Sequence, residues 1–133
     1  MASFLPIFCK CNTSKGENTI RNYLIEYGLN FEEQKRFNDC RHKKPLPFDF
    51  YLPQHNLCIE FDGRQHFMVV NFAHMTNEEM EENLKLNQLH DAIKTDYCKI
   101  NKIHLLRIRY DEDIKKKLSE YFKIIENKLS LEK

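Results

Sequence analysis

No apolar run in the sequence approaches the length of a bilayer, which excludes a transmembrane helix and any membrane partner reached that way. The start, MASFLPIFCK, has a short apolar patch but neither a charged n-region nor a long apolar stretch, so no secretory signal is expected. Neither sign of charge dominates: 21 Lys and Arg against 20 Asp and Glu leave a formal net charge of +1. A sequence-independent binder of nucleic acid usually has a basic excess. Any such surface here has to be local, or bound metal has to offset the carboxylates. Repeats and low-complexity stretches are absent too. The five cysteines are odd in number and follow no regular spacing, which points to free thiols in a reducing compartment. An intracellular protein is expected, in the cytoplasm or in the nucleus of a eukaryotic host.

What is present fits one folded domain. A chain of 133 residues can bury a single substantial core, and 41% apolar with 31% charged residues argues against disorder. Residues 1–13 read as an irregular lead-in and 14–133 as the domain. Ser14-Lys15-Gly16-Glu17 fits a capping box, and Ile20, Tyr23, Leu24 and Tyr27 follow at helical spacing as far as Gly28. Phe31 to Phe37 reads as an edge strand, and Arg41 to Pro47, with two prolines, as a loop. The runs Phe48 to Leu52 and Leu57 to Phe61 form a hairpin pattern across Pro53-Gln54-His55-Asn56. Phe67 to Thr76 fits no single type. Asn77 to about Ile100 is a long helix entered through Glu78, Glu79, Glu81 and Glu82. Its expected buried stripe is Leu86, Leu89, Ile93, Tyr97 and Ile100. Ile103 to Ile108 is a last strand, and Ile114, Leu118, Phe122, Ile125 and Leu129 mark a closing amphipathic helix. The order α-β-β-β-α-β-α predicts an α/β fold, one mixed sheet flanked by helices.

The chemistry-bearing residues cluster around the hairpin. Asp49 interrupts the apolar run PFDFYL, while Glu60 and Asp62 end the run CIEFDG on one face of their strand. Three carboxylates brought together would repel, and so would be either protonated or neutralised by a cation. All-oxygen ligation by Asp49, Glu60 and Asp62 suits Mg²⁺ or Mn²⁺. An ion of that kind stabilises charge on a phosphodiester and acidifies a bound water. His66, four residues after Asp62, is the candidate general base. Solvated acids at strand ends and a surface histidine are the plain alternative. Glu17 is either a further member of the constellation or only the capping glutamate. Asp91 and Lys94 share a helix face away from the apolar stripe, and a surface ion pair is their plain reading.

Glu17 in SKGE, Asp49 in PFDF, the run IEFDGRQHF and Asp91 in HDAIKTDYC together resemble the PD-(D/E)XK nuclease superfamily. The likeness is closest to its branch of very-short-patch-repair and phage homing endonucleases. It extends from Ser14 to about Tyr110 and includes the order of elements, so it implies a restriction-endonuclease-like core with an added C-terminal helix. It further implies catalytic roles for Glu17, Asp49, His66 and Asp91, with metal on Asp49 and on the backbone carbonyl near Phe61, and it sets Glu60 at the (D/E) position. The sequence departs from the pattern at the following lysine, where Asp62 stands. Lys94 or Arg64 could supply the missing cation, whereas Gln65 could hydrogen-bond water without adding charge. The implied activity is Mg²⁺- or Mn²⁺-dependent endonucleolytic hydrolysis of DNA, single- or double-stranded. The alternatives are a degenerate nucleic-acid-binding module of the same fold and a nuclease acting on RNA.

Among the remaining candidates, Arg41, Lys43 and Lys44 lead a basic patch, with Lys35, Arg36 and His42, that runs directly into Asp49. It either holds substrate phosphates or is a solvated loop. Arg107 alternates with Arg109 on the last strand and is a further substrate contact. Cys9, Cys11, Cys40 and His42 could supply four zinc ligands, though C-x-C and C-x-H are not the usual spacings. Cys58 and Cys98 are read as core fillers. No separate DNA-reading module is visible, so specificity is expected from a homodimer or a partner protein.

Overall fold

The computed structural model describes residues 14–63 and 76–132. The elements in chain order are α1 (Lys15–Glu26), β1 (Glu32–Arg41), β2 (Pro45–Leu52), β3 (Leu57–Asp62), α2 (Asn77–Ile100), β4 (His104–Arg109) and α3 (Ile114–Glu132). Among the described residues this is the expected order, an α/β arrangement with one mixed four-stranded sheet and three helices. No helix among the described residues is long and apolar enough to cross a membrane. The chain divides into two compact units: Asn30–Tyr110, which holds the sheet and α2, and the segments that carry α1 and α3.

In the helical unit, α1 begins where the Ser14 hydroxyl accepts the Glu17 amide at 3.1 Å. It ends at Gly28, whose φ of +66° lets the Gly28 amide reach the Ile25 carbonyl and the Leu29 amide reach that of Leu24. That pair of bonds is a Schellman cap, and a side chain at Gly28 would strain it. Ile20 and Leu24 of α1 and Leu118 of α3 are fully buried, and the Tyr23 and Phe122 rings stack with centroids 6.4 Å apart.

The sheet has the order β1-β2-β3-β4. β1 and β2 pair antiparallel, as do β2 and β3 across the residue 53–56 turn, while β3 and β4 run parallel with α2 between them in sequence. Parallel neighbours need such a crossover. β1 forms one margin of the sheet. Its residues are mostly charged and exposed, Gln34 takes a left-handed φ of +53° in mid-strand, and the register shifts between Arg36 and Arg41.

Strand β2 starts at Pro45, where a loop was expected. Its pairing with β3 covers only Phe50 to Leu52, and from Pro45 to Pro47 it pairs with β1 alone. Amides two residues apart in a strand point to the same edge, and that of Asp49 points towards β3. The missing N–H groups of Pro45 and Pro47 therefore face the side where the ladder has already ended, so they cost no bond.

Helix α2 has the predicted bounds, and Thr76 and Glu79 form a reciprocal capping box. Its buried face is the expected one only in part. Met80, Lys94 and Cys98 are buried, with Ile93 and Tyr97 packed partly against the core, whereas Leu86, Leu89 and Ile100 are exposed. The core beneath α2 joins Cys40, Phe48, Cys58 and Cys98, and the Phe37 ring stands edge-on to Phe48 and Tyr51.

Candidate functional site

The site is built where β2 and β3 part. Beyond the pair Phe50↔Ile59 the backbone ladder between these strands gives way to side chains. The Asp49 amide donates to Glu60 Oε2 at 2.6 Å, and the Phe61 amide donates to Asp49 Oδ2 at 2.8 Å. Each carboxylate thus caps an amide released by the divergence of the strands, an arrangement that fixes both groups against rigid backbone.

Helix α2 closes the site from its inner face. Lys94 Nζ donates to Glu60 Oε1 at 2.6 Å, and the same ammonium sits 5.4 Å from the centroid of the Phe48 ring. Glu60 and Lys94 are 2% and 9% exposed, so the pair is a buried one. A buried carboxylate draws a cation inward because a lone charge there is very costly. That demand overrides the helix periodicity and explains why Lys94 displaces apolar residues from the buried face.

A second ion set lies alongside. Glu60 and Asp62 leave β3 by alternation, and Arg107 lies opposite Glu60 on the parallel β4. The Arg107 guanidinium donates to Asp62 Oδ1 at 3.2 Å, to the Asp91 carbonyl at 2.8 Å and to Thr95 Oγ1 at 2.9 Å, and it stands 3.5 Å from Asp91 Oδ1. Thr95 also donates to the Asp91 carbonyl at 2.8 Å. Arg107, expected as a contact to substrate, clamps β3 to α2 through these bonds.

The structure therefore brings together Asp49, Glu60, Asp62, Asp91, Lys94 and Arg107. Glu17 lies half-buried in the first turn of α1, in the helical unit. Arg64, Gln65 and His66 lie outside the described residues, as do Cys9 and Cys11 of the zinc set. Cys40 is buried in the core against Phe48, Cys58 and Cys98, and His42 is exposed. Among the described residues no group of three or more His, Cys, Asp and Glu side chains is placed to hold a metal ion. Arg41, Lys43 and Lys44 are exposed at the β1–β2 connection.

Two participants escaped the sequence reading. Thr95 carries a signal only in its position one turn after Asp91. His90 carries none: its Nε2 lies 3.3 Å from His42 Nδ1, a contact between residues 48 positions apart. Burial, then His42 and Lys94, hold the His90 pKa below the ordinary imidazole value, against the opposing pull of Asp91.

No family model, curated protein or solved structure matches the chain.

Proposed function

We propose that the chain is a metal-dependent endonuclease that hydrolyses DNA phosphodiesters and has a restriction-endonuclease-like core. The observation that carries the reading is the trio of Asp49, Glu60 and Lys94, two carboxylates fixed at a strand divergence with an ammonium 2.6 Å from one of them. In the pattern that the sequence resembles, a lysine follows the carboxylate pair in the chain. Here Lys94 brings that charge from α2, and Asp62, which stands in the lysine's place, is held by Arg107.

The donor set fits the implied ion. Mg²⁺ and Mn²⁺ take one or two carboxylates and complete their shells with water and phosphate oxygens. Asp49 and Glu60 are that number, and they would hold it. When bound, the ion supplies charge neutralisation on the phosphate and a more acidic water. Lys94 fixes Glu60 and keeps a positive charge beside the reacting phosphate, while Arg107 sets Asp62 and Asp91 in place.

The test is cleavage of single- and double-stranded DNA and RNA, side by side, with Mg²⁺ or Mn²⁺. Asp49→Asn keeps an acceptor for the Phe61 amide and removes the charge. It should cost more than the roughly 10–100-fold typical of residues behind a metal ligand, with an unchanged far-ultraviolet spectrum. Parent-like cleavage by this variant rejects the assignment.

A second reading is a nucleic-acid-binding module without turnover. It is favoured by the protein cations that hold Glu60 and Asp62. Calorimetric titration separates the two: saturable Mn²⁺ binding lost in Asp49→Asn supports the enzyme, and its absence in the parent supports the module.

A further inference from the structure

Beside the carboxylate site, the sheet unit holds a cavity of about 410 Å³ between the β1–β2 connection and α2. That volume falls in the range of roughly 300–1,000 Å³ usual for sites of small organic ligands. Its polar lining is basic or imidazole, from Arg36, His42, Lys43, Lys44 and His90, and no carboxylate lines it among the described residues. The rest is apolar and rigid: Pro45, Leu46 and Pro47 from β2, and Leu86 from α2. Leu86, exposed and left out of the core, thereby has a place.

The chemistry of these walls is divided. Lys43 and Lys44 are exposed at the rim, where they suit a solvated anion. The two imidazoles, both in the cavity lining, meet with ring centroids 5.2 Å apart at 60°. Burial and its neighbours favour the neutral form of His90, so that ring offers π surface more than charge. A ligand that matches has a planar, weakly polar body and an attached phosphate. A base inside a duplex is stacked and paired, and it reaches such a pocket only by leaving the stack.

We propose that this cavity seats one unstacked nucleotide, with its base against Pro45, Pro47, Leu86 and the His42–His90 pair and its phosphate on Lys43, Lys44 and Arg36. The substrate is then single-stranded or carries an unpaired nucleotide. His90 directly precedes Asp91, and Lys94 follows one turn later, so α2 lines the cavity and the carboxylate site alike. The position of this nucleotide next to a cut rests on the nuclease reading, whereas its binding does not.

The experiment is fluorescence anisotropy of the full chain in EDTA with labelled single-stranded DNA, single-stranded RNA and duplex DNA of one sequence. At least one single strand should bind roughly tenfold more tightly than the duplex, as expected when a base gains a stacking partner. His42→Ala, an exposed position, should remove most of that preference. Lys43→Ala with Lys44→Ala should weaken all three ligands and lower the salt slope for single strands by about 1.4. Equal affinity for single strands and duplex, or parent-like preference in His42→Ala, overturns the proposal. Because no metal is present, these results are independent of Asp49. Loss of the single-strand preference with intact Asp49-dependent cleavage rejects the cavity alone, and the converse rejects the nuclease alone.

Discussion

Lys94 Nζ lies 2.6 Å from Glu60 Oε1, and the two side chains bury one another between β3 and α2. Removing one partner leaves the other charge without its counterion in a dry place, at a cost of about 3–5 kcal/mol. Lys94→Met should lose stability on that scale in urea unfolding. Adding Glu60→Gln should restore a good part of it, since neither charge then remains. A double variant as unstable as Lys94→Met would show that the ammonium acts by packing on Phe48 rather than by its charge.

Arg107 ties three groups through one planar fork, which an ammonium cannot copy. Arg107→Lys should therefore destabilise by about 1–3 kcal/mol despite conserving charge. Urea unfolding of the two proteins side by side measures the loss. An Arg107→Lys variant as stable as the parent would reject the clamp.

The depressed pKa of His90 makes stability depend on pH with a definite sign. Below the ordinary imidazole pKa of about 6.5 the unfolded chain binds more protons than the folded one. The contribution is thus fully present above that value and lost as pH falls through the folded-state pKa. Thermal midpoints should fall on acidification in the parent, and less steeply in His90→Gln. Parallel curves would contradict this origin.

Buried thiols should be inert. The Cys58 thiol is pushed up, first by its hydrogen bond to Cys98 and then by burial, and burial pushes up that of Cys40 as well. Alkylation with iodoacetamide followed by peptide mapping should leave Cys40 and Cys58 unmodified in folded protein and modify them in urea; Cys98, whose thiol the hydrogen bond to Cys58 pulls down, is shielded by burial alone. Native labelling of Cys40 would place it outside the core and reopen its role as a ligand.

Local signals in the sequence gave the elements, while the partnerships across the sheet unit were hidden. Asn77 to Ile100 was legible because a run of acids marks a helix start without tertiary help, although the Thr76 cap before it was not recognised. The hairpin through Asn56 was legible from two β-rich runs and a turn. Pro45 and Pro47 were misread, because proline is compatible with a strand once one of its edges lacks a neighbour, and that depends on where β2 and β3 part. The inner face of α2 was misread because a lysine is buried only if a carboxylate awaits it, and Glu60 lies 34 positions away. The same distance problem hid the meeting of His42 with His90. Asp49, Glu60, Asp62, Asp91, Lys94 and Arg107 were all singled out in the sequence, but not the contacts that join them across β3 and α2.

The left-handed backbone at Gln34 has a consequence for the behaviour of many copies together. A straight, apolar margin would act as a template on which a second chain could lay its own strand, and a third on that. Here the margin carries a left-handed residue in mid-strand, slips register before Arg41 and presents both acids and bases. Growth of a continuous ribbon from this side is blocked at its first step. Concentrated protein is thereby protected against fibre formation by the same irregular strand that leads into the basic rim.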